Sequence, residues 1–249
     1  MDHINAKSTG TAEPVLPRVC AACAVRNSSL CGALSDEELR DLSAISTRKG
    51  LTRGQFHAFE TGDRPEFVNV TSGCGKLVKG SPDGRQQIVG LLFPSDFVSN
   101  HANGAVTNAN TSIIEAATSL ELCLFPRDRV DQLMARHPKL ANRLLALALD
   151  ELSVARDWMV LLGRKSAAER VASFLLHVSR RMTSQSCGRV AGFELPLDRA
   201  DIADHIGLTV ETVSRQISKL RLDGVIKMEG TRRIVDMDED SLAERAGIF

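Results

Sequence analysis

Apolar residues along this 249-residue chain follow two rhythms, and the change from one to the other divides it. From Gly50 to Phe125 they come in short pieces: Phe56 to Phe59, Phe67 to Val70, Lys76 to Val78, Gln87 to Phe93, Ile113 to Ala116 and Leu120 to Phe125. Turn residues separate them, at Gly54, Gly62-Asp63, Gly73, Gly75, Pro82-Asp83-Gly84 and Gly104. Strands this short with turns this frequent predict an antiparallel β sandwich or roll of about eighty residues. Beyond Phe125 the spacing becomes helical. Arg127 to Arg136 reads as one short helix, and His137-Pro138 marks a break before a much longer one from Leu140 to Leu162. Along it Ala148, Leu152, Ala155, Met159 and Leu162 form a seam at alternating steps of four and three. That is the heptad signature of a helix meeting its own copy, although packing on its own domain gives the same pattern. Leu145, Leu149 and Val160 flank the seam, as expected of a helix with the β domain on one side and a partner on the other. Gly163-Arg164-Lys165 ends it, and Ala167 to Met182 gives a further amphipathic helix bearing Val171, Phe174, Leu175 and Val178.

From Asp198 to Asp223 two short helices flank Gly207, with Ala203 small enough to let them approach and Ile202, Ile206, Leu208, Val213 and Leu220 filling the angle. This is a helix-turn-helix pattern, with Thr209 a natural N-cap for the second helix. On that helix Glu211, Ser214, Arg215 and Ser218 share one sector, while Val213, Ile217 and Leu220 face away. Arg bonds bidentately to guanine, Glu accepts from cytosine, and Ser bonds a base edge or phosphate; Lys219 and Arg221 suit phosphates. The plainer reading of Glu211 and Arg215 is a surface i,i+4 ion pair contributing a few tenths of a kcal/mol. Within a full helix-turn-helix, double-stranded DNA is the better-supported partner. Val225 to Met228 and Arg232 to Val235, around Glu229-Gly230-Thr231, form a hairpin, the wing of a winged helix.

Towards the N-terminus, Leu34-Ser35-Asp36-Glu37-Glu38-Leu39 predicts a capping box on Ser35 and Glu38, with Leu34 against Leu39 as hydrophobic staple, opening a helix that ends near Ser46. Residues 1 to 17 are small and polar and read as a mobile arm. Between arm and helix lies Cys20-Ala-Ala-Cys23, with Cys31 eight positions on, in a segment without regular hydrophobic period. Thiolates select iron–sulfur clusters, zinc or copper(I). Spacing alone leaves three readings open: cluster, zinc site, or no ligand.

Composition narrows the classes. With 43% apolar and 25% charged residues the chain is an ordinary globular protein. No apolar run reaches membrane-spanning length and Met1 to Pro17 lacks the apolar core of a secretory signal, so the expected location is the cytoplasm, without membrane association. Six cysteines at uneven spacings there argue for ligation or burial rather than disulfides. The net charge of zero conceals +5 between Arg164 and Ile234 and −4 from Asp236 to Phe249. From Gln86 to Pro126 there is no Lys or Arg, so an anionic effector such as a cyclic nucleotide is not expected. Asn100, Asn103, Asn108 and Asn110 read as a polar loop. No Gly-rich phosphate loop, nucleophile elbow or His-Glu-x-x-His is present, and the six His are scattered, His101 being the one to watch; the chain is not expected to be an enzyme. Cys187 falls in the polar loop Thr183 to Gly192 and reads as a surface residue.

A cysteine-bearing arm, a β-roll of the cyclic-nucleotide-binding kind, a long dimer helix and a winged helix-turn-helix together resemble the CRP/FNR superfamily, specifically its FNR-type oxygen-responsive regulators. The most specific pieces are Leu208-Thr-Val-Glu-Thr-Val-Ser-Arg215, the cysteines, and Ala168-Glu169-Arg170-Val171-Ala172. The resemblance implies an α+β fold divided into an arm with cysteines (1–34), a β-roll sensor domain (35–138), a dimerisation helix (139–163) and a winged helix-turn-helix domain (164–249). It implies a [4Fe-4S] cluster on Cys20, Cys23, Cys31 and a distal Cys123, dismantled by oxygen together with the dimer. Cys123 by itself reads as a buried strand cysteine, and Cys74, in the turn Ser72-Gly-Cys-Gly75, is the less favoured fourth ligand. By the same resemblance Glu211, Ser214 and Arg215 read each half of a TTGAT-type palindrome as a homodimer, and Ser81-Pro-Asp-Gly-Arg85 contacts RNA polymerase. A variant with structural zinc on the cysteines is the alternative. Two departures stand out. Seven residues separate Cys23 from Cys31, which resembles the alphaproteobacterial branch, and Ala155 occupies a seam position where the resemblance implies an acid.

Overall fold

The structure, a computed structural model, describes residues 16–59, 66–80, 83–99, 112–183 and 192–247. The expectations for residues 1–15, Ser81, Pro82, His101, Cys187 and the four loop asparagines lie outside these. The chain begins with a single helical turn, α1 (Arg18–Ala21), and a 3-10 turn at Leu30–Ala33, followed by α2 (Asp36–Ala44). The expected capping box is in place. Ser35 N–H donates to Glu38 Oε2 at 2.8 Å, Glu38 N–H donates to Ser35 Oγ at 3.3 Å, and the staple residues Leu34 and Leu39 are buried.

Eight strands follow: β1 (Thr47–Leu51), β2 (Phe56–Ala58), β3 (Glu66–Ser72), β4 (Gly75–Gly80), β5 (Gln86–Leu92), β6 (Phe97–Ser99), β7 (Ser112–Ala116) and β8 (Leu120–Pro126). They form two antiparallel four-stranded sheets, ordered β1-β8-β3-β6 and β2-β7-β4-β5, around a core that includes Val68, Val70, Ile114, Leu120 and Leu122. At the turn into β4, Gly73 has φ +85, and a Cβ there would lie 1.9 Å from the Ser119 carbonyl oxygen, so only glycine fits. β1 carries one buried side chain, Leu51, and β6 is three residues long; neither shows the alternation that would reveal a strand in sequence.

The helical half comprises α3 (Arg127–Arg136), α4 (Pro138–Arg164) and α5 (Ala167–Thr183), then the short strand β9 (Phe193–Glu194), α6 (Arg199–Ile206), α7 (Val210–Leu222), β10 (Ile226–Glu229), β11 (Arg233–Met237) and α8 (Glu239–Arg245). Pro138 serves as the first residue of α4, where its missing N–H costs nothing, so the long helix starts two residues earlier than its apolar spacing predicts. β9 adds a third strand to the wing, in the order β10-β11-β9. α8 lies in the acidic tail, opened by Asp238 as N-cap; its Leu242 is buried.

The two halves share one apolar core. Cys74, Phe93 and Ala117 from the β-roll pack in the same cluster as Val171, Phe174 and Leu175 of α5 and Ile202 of α6. Around it, α6 closes the edge of β5. Asp204 Oδ2 accepts from Ile88 N–H at 2.7 Å, and the Ile88 carbonyl accepts from His205 Nδ1 at 3.0 Å. Lys76, nearly buried, bridges Glu115 and Asp201.

Arg170 ties the long helix to the helix-turn-helix. Its guanidinium donates to the carbonyls of Leu162 and Lys165 at 2.6 and 2.9 Å, and to those of Ile206 and Gly207 at 3.2 and 3.3 Å. Gly207, at φ 64 and ψ 47, supplies the left-handed turn that presents the latter two. Arg170→Ala is therefore predicted to lower stability by about 2–4 kcal/mol, because charge-assisted bonds are lost and carbonyls are left short of donors; the midpoint of urea unfolding measures it.

Candidate metal centre and nucleic-acid interface

The cysteine segment is irregular but not loose. Leu30, within it, is fully buried beside Leu140 and Leu144 of α4, and Leu16 packs in the same cluster, so the end of the expected mobile arm is already anchored. Ser29 is buried and its hydroxyl accepts from Cys31 N–H at 3.3 Å. Arg143 of α4 clamps the segment from outside, donating to the Ser29 carbonyl at 3.2 Å and also to that of Ser28. A second side-chain bond joins Ser28 Oγ to Ser95 Oγ at 2.5 Å.

Cys20, Cys31 and Cys123 all line this apolar cluster. Cys123 sits on the central strand β8, paired across to Arg48 of β1 and Asn69 of β3. Cys20 Sγ lies 3.3 Å from Ser43 Oγ. Burial pushes the Cys31 thiol up to about 11, against a bond from Ser29, and charge on Cys123, Cys23 or Cys20 raises it further. Cys123 is likewise raised by burial, opposed by Ser46 and Arg48, with Cys20 and Cys23 adding to the rise. Cys31 and Cys123 each feel charge on Cys20 and Cys23. Cys74 belongs elsewhere: it is buried in the core shared with α5, where burial pushes it up to about 12 and its charged neighbours are Asp96, Arg181 and Lys76. Among the described residues, no three His, Cys, Asp or Glu side chains are gathered as ligands for a single metal ion. The donor set itself is soft, half-buried and free of carboxylates, which suits a thiolate-ligated iron–sulfur group. The raised Cys31 and Cys123 thiols mean that ligation through them must displace protons.

On α7, Thr209 caps the helix by accepting from Thr212 N–H at 3.3 Å, and Val213, Ile217 and Leu220 are buried against the preceding helices. Glu211, Arg215, Ser218 and Lys219 are exposed and Ser214 half-buried, as expected of a face left for a partner. Glu211 and Arg215 form no ion pair with each other. The Glu211 carboxylate is instead held below its usual range by its own backbone N–H and the Thr209 hydroxyl.

α4 shows two apolar faces. Leu140, Leu144 and Leu161 are buried, while Leu145, Leu149, Leu152, Met159 and Val160 are exposed, Met159 to 71%. Ala148 and Ala155 are exposed as well. The most open line runs Leu145, Leu149, Leu152, Arg156, Met159 at steps of four and three, beside the seam read from sequence. Leu162, assigned to that seam, is half-buried and packs on the chain's own core near Gly207.

A cleft of about 900 Å³ separates α4 and α5 from β5 and the turn that follows it. Residues 86–126 hold no Lys or Arg, yet two cations reach the cleft from the helices. Arg143 is engaged by the cysteine segment, and Arg181 pairs with Asp96. The signal for both is the arginine content of the two long helices, which sequence alone does not aim at the cleft.

Comparison with known proteins agrees with this architecture. Residues 169–245 match the family described as Crp-like helix-turn-helix domain, and residues 51–137 that described as cyclic nucleotide-binding domain. A probable transcriptional activator of Rhizobium leguminosarum bv. viciae is 43% identical over 225 residues, covering 90% of this chain and 92% of its own. The transcriptional activator protein FnrL of Cereibacter sphaeroides is 40% identical over 238 residues, 94% of each chain. Among solved structures, FixK2 from Bradyrhizobium japonicum superposes with a TM-score of 0.69 at 30% identity, covering 80% of this chain and 96% of that one. With a DNA-reading helix set on a winged domain, a β-roll before it and relatives of this closeness, the chain belongs to the CRP/FNR superfamily of DNA-binding transcription regulators.

Proposed function

We propose that this regulator is oxygen- or redox-responsive, holding a [4Fe-4S] cluster on Cys20, Cys23, Cys31 and Cys123 and binding a TTGAT-type palindrome as a homodimer while the cluster is intact. The observation that carries the reading is the position of Cys123. It is brought to the cysteine segment from 92 positions along the chain, on a central strand, and lines the same apolar cluster as Cys20 and Cys31. When bound, the cluster would supply an oxygen-labile centre. The residues do the rest: Leu30 and Arg143 fix the segment on α4, Ser29 and Ser43 orient Cys31 and Cys20, and the surrounding leucines limit water access. α4 continues from this contact to the carbonyls that Arg170 holds, so its exposed stripe joins the sensor to the DNA-binding domain. Glu211, Ser214 and Arg215 would read bases, with Ser218 and Lys219 at the backbone. RNA polymerase is the partner proposed for the loop ending at Arg85, which is held by Asp83 at 2.7 Å. Cyclic nucleotide is not part of the reading, since Arg143 and Arg181 are already engaged and β5 and the turn after it carry no cation.

Three outcomes are expected. After anaerobic purification, Cys123→Ser loses most bound iron and Cys74→Ser retains it; the reverse would move the fourth ligand to Cys74. Arg215→Ala weakens binding to the matched palindrome by about 10- to 100-fold with little change on unrelated DNA, measured by anisotropy at fixed salt. Because exposed Ala155 leaves the stripe without an acid, the cluster-free protein is expected to remain dimeric at micromolar concentration. Sedimentation giving a monomer would contradict this.

A further inference from the structure

Besides α4, a second route leads from the cysteine segment through a turn of the β-roll to α5. Ser28 Oγ meets Ser95 Oγ at 2.5 Å, in the turn that joins β5 to β6. Ser95 has φ +82 and is the one non-glycine residue with positive φ among the described residues. A side chain in that region is strained and persists only where its surroundings hold it. Here they do: Ser95 N–H donates to the Val70 carbonyl and Val70 N–H to the Asp96 carbonyl, both at 2.9 Å. Asp96 closes the turn by accepting from Phe93 N–H at 2.8 Å through Oδ2, and its Oδ1 pairs with Arg181 near the end of α5. Arg181 also lies over the Phe93 ring, 5.3 Å from its centroid, and Phe93 belongs to the core shared by the β-roll and the DNA-binding half.

We infer that the turn Pro94-Ser95-Asp96 is a positioning element: the cysteine segment, through Ser28, adds to the Val70 bonds that hold Ser95 at positive φ, and Asp96 thereby fixes Arg181 and the pose of α5 against the β-roll. A strained turn held by several contacts is a place where losing one of them can shift the rest. The element works inside one chain. A change in the cysteine segment would therefore reach the helix-turn-helix even while the α4 stripe stays paired, which matters in a protein whose seam carries Ala155.

The inference rests on the proposed role of the cysteine segment as the sensor, but its test does not need the cluster. Hydrogen exchange is followed in the metal-free full-length chain, in peptides spanning residues 93–97 and 173–183. Ser28→Ala is expected to speed exchange in 173–183 by at least about threefold. Ser28→Thr, which keeps the hydroxyl, is expected to restore the original rate, and Ser28→Ala on an Arg181→Gln background should add nothing further. Unchanged exchange in 173–183 for Ser28→Ala, or an equal increase with Arg181 already replaced, would overturn the inference. An iron-free protein after anaerobic purification would instead sink the cluster reading and leave this coupling measurable.

Discussion

A 27-residue helix that is apolar on two faces is the constraint on which this molecule turns. One face of α4 is satisfied within the chain, by Leu140 and Leu144 against the cysteine segment and by Leu161 against the DNA-binding core. The other, through Leu145, Leu149, Leu152 and Met159, is open to solvent. Leaving such a stripe exposed is unfavourable at roughly 25 cal/mol per Å² of apolar surface, which is the physical drive toward pairing with a second copy. Because the same helix meets the cysteine segment at one end and Arg170 at the other, anything that alters the segment acts on a rigid body that ends at the helix-turn-helix.

The cysteine segment shows how weak local structure can be held by distant partners. It has one helical turn and one 3-10 turn, yet Leu30 is fully buried and Arg143 bonds two of its carbonyls. Cys31 of the segment and Cys123 of β8 line one apolar cluster, where burial favours their protonated form. On the proposed reading a soft inorganic centre would hold the cysteines as thiolates, while Leu30 anchors the segment whether or not the centre is present. That arrangement favours a response felt through the geometry of the contacts rather than through unfolding of the arm.

Where local rules dominate, the sequence was readable. The capping box at Ser35, the Gly207 turn, the buried face of α7 and most strands follow from spacing and turn chemistry. The cysteines, by type and spacing, leave cluster, zinc site and no ligand all open. What was hidden depends on tertiary placement. β1, Thr-Arg-Lys-Gly-Leu, has no apolar alternation and is a strand because β8 pairs with it. Leu30 is a lone leucine in an irregular stretch, and Arg143 and Arg181 are two among many helical arginines until the fold aims them at Ser29 and Asp96. Leu162 fits the heptad rhythm, yet it turns inward because the helix-turn-helix docks at that end of α4. A period identifies a face but not what covers it.

One oxygen-labile cluster shared by Cys20, Cys23, Cys31 and Cys123 is tested most directly by the absorption spectrum of anaerobically purified protein, with its iron and acid-labile sulfide content. The protein is expected to be brown, with about four irons and four sulfides per chain, and to bleach on exposure to air. A colourless protein carrying stoichiometric zinc, or no metal at all, would contradict it.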